Sequence, residues 1–179
     1  MAEIRQEAGT TPFDCRLLFL SAWLSRELYA QLNNPRLVHI LKRLDATYHG
    51  AKTEEISFDS PLSVEHIMPQ GWIANWPLAD GQKGLSDIDL WDTADEDDKA
   101  IATKARNVLV QTIGNLTILR QALNSSISNS EWEVKKPEVM MHSLLPINQE
   151  LQGEAAWTDN SIMERGRRLF EKALVIWPR

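Results

Sequence analysis

The sequence predicts an α+β fold, mainly helical, with a strand–loop–strand–helix unit set among helices. Apolar residues recur at three- and four-residue steps near both ends of the chain, the spacing that lines one face of a helix. Two short runs in the middle, Leu62–Ile67 and Asn115–Leu119, are rich in apolar and β-branched residues, which suit half-buried strands. The 179 residues are 43% hydrophobic and 25% charged, the balance of a globular chain able to bury a core.

Taken in order, Phe13, Leu17, Leu20, Leu24 and Leu28 align on one face and predict a helix over 13–32. Asn33-Asn34-Pro35 stops it. Pro35, with φ already set, opens a second helix to about Tyr48, with Leu37, Ile40, Leu41 and Leu44 inward. His49 to Thr53 is a polar link where the pattern turns from helical to extended, and it places a boundary between a helical extension, 1–52, and a second domain, 53–179. Ile56–Phe58 and Leu62–Ile67 are extended candidates around the turn-like Asp59-Ser60-Pro61. Residues 69–92 mix prolines, glycines and tryptophans without a period, which predicts an irregular loop. Thr93 and Glu96 read as a capping box for a helix to about Leu109. Gly114 closes that segment, Asn115–Leu119 is the second strand, and short helices follow over 122–128, from a Ser130 cap, and over 138–143. Thr158 caps a last helix, with Ile162, Leu169, Ala173 and Ile176 in line, ended by Pro178.

The net charge of −6 argues mildly against a nucleic-acid binder on bulk electrostatics. The charge is unevenly spread, however. Residues 86–98 carry seven acidic groups and no basic one, while 165–179 carry five basic residues against one acid. A local basic face is compatible with the global sign. The single cysteine, Cys15, excludes an internal disulfide and fits a reducing, cytoplasmic setting. The start, MAEIRQEAG, lacks the apolar core of a signal peptide, and no apolar run approaches a membrane span. Six of the seven tryptophans sit near expected element ends, where a ring covers a joint while its N–H finds a partner.

The polar residues worth chemistry begin at "VEHIMPQ", residues 64–70, and continue in "IGNLTILRQALNSSISN". If the two strands pair antiparallel and a helix follows at once, His66, Asn115 and Asn124 face one point. The glutamate–histidine opening, an Asn-led strand and a second Asn nine residues later resemble the HNH (His-Me finger) nuclease motif. With "EHIMPQ", "GNLTIL", "LNSSISN", "WEVKKPEVMMHS" and "RGRRLFEKALVIWP", residues 55–179 resemble the C-terminal nuclease domain of GmrSD-type modification-dependent restriction enzymes. The resemblance implies a ββα-metal core and an HNH-type endonuclease cleaving DNA in phage defence. It also implies an N-terminal nucleotide-binding, ParB-like domain or subunit as partner. This chain has no counterpart of that domain, which makes it a fragment or a stand-alone module.

The residue types suit that chemistry. Phosphodiester hydrolysis needs a base for water and a cation for the charge on phosphate. His66 titrates near neutrality and suits the base; Glu65 and Asn124 offer the hard oxygens that Mg²⁺ or Mn²⁺ takes. By resemblance, Asn115 braces the loop bearing His66. Adjacent strand residues point to opposite faces, so Glu65 and His66 share a site only if the chain turns there. Ser128 stands where many HNH proteins carry a further ligand, which favours one weakly held Mg²⁺ or Mn²⁺ over a tight zinc or nickel site. Plainer readings stand beside these: a structural His66, a solvent-facing Glu65, an Asn124 that only caps a helix. Lys135 and Lys136 read either as a solvated helix face or, with Arg120 and the Arg165–Arg168 cluster, as DNA phosphate contacts. The rival for the whole is a catalytically silent scaffold that binds a protein through its tryptophans and acidic loop.

Overall fold

The computed structural model of the chain describes residues 12–50, 60–127 and 129–178. The strand candidate over 56–58, the boundary at 52/53 and Ser128 lie outside the described residues. The fold is mainly helical around one two-stranded antiparallel ribbon. Helix α1 (Pro12–Ser25) stops short of the expected Leu32, and a separate turn α2 (Leu28–Gln31) follows. Here a tertiary bond overrides the local pattern: the Tyr29 N–H leaves the helical ladder and donates to the Gln111 carbonyl at 3.2 Å. Helix α3 (Asn34–Ala46) forms as expected. Asn33 caps it by accepting from the Arg36 N–H at 3.1 Å, Pro35 stands in its first turn, and Leu37, Leu41 and Leu44 are buried.

Strand β1 (Leu62–His66) leads into a segment that holds a 3₁₀ turn at Trp72–Ala74 and a short helix, α4 (Asp87–Asp92). The expected capping box at Thr93 is not formed. The reciprocal pair is Ser86 and Asp89, at the start of α4, and the Thr93 hydroxyl turns back to the Asp89 carbonyl at 2.6 Å. Helix α5 (Asp98–Leu109) begins instead at Asp97, whose carboxylate accepts from the Ala100 N–H at 2.9 Å. A 3₁₀ turn at Ile113–Asn115 feeds strand β2 (Leu116–Arg120), and α6 (Gln121–Ile127) follows without a break. The two helices expected after Ser130 are one, α7 (Trp132–His142), which runs through Pro137 and starts after Glu131 without a side-chain cap. A short α8 (Pro146–Gln149) precedes α9 (Asp159–Ile176), capped by Thr158 and Ser161 as a reciprocal pair.

Strands β1 and β2 pair in the register Leu62↔Arg120, Val64↔Ile118 and His66↔Leu116, with Glu65 opposite Thr117. Alternation along a strand then divides the ribbon. Val64, Leu116 and Ile118 enter a core with Trp23, Leu37, Leu41, Leu44 and Phe170, from α1, α3 and α9. Leu119 enters a second core built of Ile67, Met68, Trp72, Trp132 and Trp157. The start of β2 lies hard against α9. A Cβ on Gly114 would meet the Ile162 carbonyl oxygen at 2.1 Å, so only glycine fits that approach.

Candidate active site at the end of strand β1

Asn115 sits at the turn into β2, has no solvent exposure and uses its whole amide. Its Oδ1 accepts from the Met68 N–H at 2.8 Å and from the Trp157 indole at 3.1 Å. Its Nδ2 donates to the carbonyls of Met68 at 2.8 Å and Val110 at 2.9 Å. The Ile67 N–H adds a bond to the Asn115 carbonyl at 2.9 Å. The chain that leaves His66 is therefore clamped on both sides of Met68.

His66 is buried at 8% exposure, with its ring against Tyr29 at 4.3 Å between centroids. Its Nε2 lies 3.2 Å from Gln111 Oε1, an oxygen that also accepts from Gln70 Nε2 at 3.2 Å. With that oxygen as acceptor, the neutral ring carries its proton on Nε2 and Nδ1 is the basic nitrogen. Burial lowers the imidazole pKa to about 4; the Gln111 bond opposes the shift and the nearby Lys135 charge adds to it. At neutral pH the ring is uncharged, with Nδ1 unprotonated.

The outer edge of β1 carries the other candidates. Asn124, on α6, donates through Nδ2 to the Val64 carbonyl at 3.0 Å and to Ser63 Oγ at 2.9 Å. Two residues along the same edge, about 7 Å on, Lys135 of α7 donates to the His66 carbonyl at 2.8 Å and to Glu65 Oε1 at 2.6 Å. Glu65 is neither solvent-facing nor idle: it is 7% exposed, and Lys135 is 1% exposed. Burial pushes the Glu65 carboxyl up and the Lys135 ammonium down, while each charge steadies the other. Glu65 and Asn124 thus lie on the edge of β1 away from the His66 ring, and the strand does not turn between Glu65 and His66. The expected convergence of His66, Asn115 and Asn124 around one pocket is not formed.

The donor chemistry, a carboxylate and an amide oxygen along one edge, suits a hard cation. The charge balance does not while Lys135 is in place, because the carboxylate is already matched by an ammonium. No group of three or more His, Cys, Asp or Glu that could hold a metal occurs among the described residues.

The basic residues divide. Lys135, expected on a solvated face or at phosphate, lies inside. Arg165 has no exposure either: it bonds Glu150 at 2.5 Å and the carbonyls of Gly114 and Leu116 at 2.9 and 2.8 Å, pinning the start of β2 to α9. Lys136 is half-buried, over the Trp132 ring at 5.9 Å, and donates to the Glu154 carbonyl at 2.7 Å. Arg120, Arg167 and Arg168 are exposed. Sequence reasoning missed Gln111, Tyr29 and Trp157 as neighbours of the site. Nothing in their local pattern points to β1.

A small α+β domain with buried ionisable groups at the end of a strand–loop–strand–helix unit is the class that fold and site define. The family model for the C-terminal domain of GmrSD restriction endonucleases matches residues 15–172, and the chain belongs to that family. No match was found among curated proteins or solved structures. No helix among the described residues is long and apolar enough to cross a membrane.

Proposed function

We propose that this domain hydrolyses phosphodiester bonds of DNA, as an HNH-type endonuclease with Mg²⁺ or Mn²⁺ as cofactor, in the restriction of modified or foreign DNA. One observation supports the reading most. A carboxylate, an imidazole and an ammonium are all buried at the end of β1, at Glu65, His66 and Lys135, with the imidazole on the opposite face of the strand from the ion pair. Buried ionisable groups are costly and concentrate where chemistry is done, and in a family of restriction endonucleases that chemistry is DNA cleavage.

In this reading His66 accepts the proton of the attacking water at Nδ1, held by the Gln111 bond on its other nitrogen. Asn115 keeps the following loop rigid, so the ring is presented from a fixed backbone. Glu65 and Asn124 Oδ1 are the residues that would hold the cation, in place of the Lys135 ammonium that now matches the carboxylate; such a cation would stabilise charge on the phosphate. Arg120, Lys136, Arg167 and Arg168 supply the DNA phosphate contacts, and a ParB-like nucleotide-binding domain or subunit acts as the partner. A second reading, a silent scaffold that binds protein, draws on α4, where Ile88 and Trp91 stand 77% and 90% exposed on an acidic helix.

Plasmid nicking with Mg²⁺ or Mn²⁺ separates the two. His66→Ala should lower the rate by about 10²–10⁴-fold and leave Mn²⁺ binding nearly intact. Asn124→Ala should weaken Mn²⁺ binding and recover activity at excess metal. Rescue of the His66 variant instead would reverse the roles, and a wild type that never nicks DNA leaves the scaffold reading.

A further inference from the structure

Lys135 meets the edge of β1 as a cation held by oxygen atoms. Its Nζ lies 2.6 Å from Glu65 Oε1 and 2.8 Å from the His66 carbonyl oxygen, and the residue is 1% exposed. A carboxylate oxygen and a backbone carbonyl oxygen are ligands that a hard divalent cation takes. Farther back on the same edge, Asn124 bonds the Val64 carbonyl and Ser63 through Nδ2, and neither bond uses its amide oxygen. The ammonium therefore marks the place where this edge concentrates negative potential.

The lysine is held there by its helix as well as by its own bonds. Trp132 and Val139, on either side of it in α7, are buried in the second core. The next residue, Lys136, turns away to the Trp132 ring and the Glu154 carbonyl. Stability alone is a weak reason to bury such a pair, because apolar residues of similar volume serve as well or better. Charge gives the pair a second effect. One ammonium balances one carboxylate, and a divalent cation beside it would meet a like charge in a site with little water to screen it. Among the described residues, no group of three or more His, Cys, Asp or Glu stands ready to hold such an ion and offset the excess. Lysine and metal thus exclude each other at Glu65.

We propose that the Lys135 ammonium is a built-in occupant of the cation position on β1, which rests on the reading of Glu65 and Asn124 as the residues that would hold a cation. It keeps the Glu65 carboxylate closed to divalent metal. A metal binds only in its place, with the His66 carbonyl oxygen as a further ligand beside Glu65. Metal affinity is then set by how firmly α7 holds the lysine on the strand.

The test is Mn²⁺ binding to the full chain by calorimetry, at a pH of about 8 to limit protonation of a carboxylate that has lost its partner. Wild type should bind weakly and Lys135→Met about tenfold or more tightly, because a like charge has gone from beside the ion. Lys135→Gln keeps an N–H donor for Glu65 but no charge; it should show the same gain and serves where the methionine variant does not fold. Glu65→Leu/Lys135→Met should lose the gain, and Mn²⁺ should raise the melting temperature of Lys135→Met but not of this double variant. In wild type with ¹³C-labelled lysine, Mg²⁺ should move the Lys135 ε-methylene signal, assigned through Lys135→Gln. Equal Mn²⁺ affinity in wild type and the Lys135 variants overturns the proposal. So does a gain that survives Glu65→Leu, or Mg²⁺ bound by wild type with the Lys135 signal unmoved. A Lys135→Gln protein that binds Mn²⁺ tightly and nicks no plasmid keeps this inference and sinks the nuclease reading. Wild-type nicking with a metal affinity indifferent to Lys135 does the reverse.

Discussion

On one face of the β1–β2 ribbon, Val64, Leu116 and Ile118 lie in an apolar core; on the other, Ser63, Glu65 and Thr117 each meet a polar partner. Those partners are Asn124 of α6, Lys135 of α7 and Asn148 of α8. The first face is held by area removed from water, a non-directional effect that scales with the apolar area buried. The second is held by matched pairs, each of which leaves an orphan when one member goes. The contrast divides the labour of the ribbon. The apolar face fixes the ribbon to α3 and α9, and the polar face keeps ionisable groups in defined places.

Breaking one pair should show the difference most. Lys135→Met leaves the Glu65 carboxylate buried without its cation and should cost roughly 3–5 kcal/mol in urea melts. The double variant Glu65→Leu/Lys135→Met should recover most of that loss. If single and double variants cost the same, the pair is not what holds that face.

The next effect is a pH dependence at the end of the other face. The folded pKa of His66, about 4, lies below its ordinary 6.5. Below 6.5 the unfolded chain therefore binds a proton that the folded ring refuses. The contribution is complete above pH 6.5 and fades as pH falls towards 4. It amounts to about 2–3 kcal/mol, read as the difference between metal-free wild type and His66→Gln melts at pH 6.5 and pH 4. Equal slopes would place His66 in a wetter setting than the structure shows.

Smaller effects sharpen the same contrast. Thr117→Val keeps the shape but strands the fully buried Asn148 amide, for an expected loss of about 1–3 kcal/mol. Ile118→Val, one residue along and facing the apolar core, removes a methylene and should cost about 0.5–1.5 kcal/mol. A larger loss at Ile118 than at Thr117 would mean that packing governs both faces.

Much of the architecture was legible because helices and strands are written in short-range patterns. Leu37, Leu41 and Leu44 mark the face of α3, Pro35 and Thr158 mark helix starts, and "GNLTIL" marks β2. The errors arose where two signals compete locally. Thr93–Glu96 and Ser86–Asp89 both spell a cap, and only the second is made. Pro137 reads as a break, yet α7 continues past it because Trp132 and Val139 on either side are buried in the same core.

The sequence by itself determined the long helices α3 and α9, the two strand segments in "VEHI" and "NLTI", the helix that follows the second at once and the family to which these residues point. Only the tertiary structure decided what each charge does. Lys135 meets Glu65 across 70 residues and Arg165 meets the Gly114 carbonyl across 51, so both leave the surface that their composition suggests. The same holds for His66, whose partners Tyr29 and Gln111 come from distant elements, and for Asn115, whose four bonds close only when β2 and the second core are assembled. A backbone pattern is set by neighbours a few residues apart, whereas the environment of a buried charge is set by whatever the fold brings within about 3 Å of it.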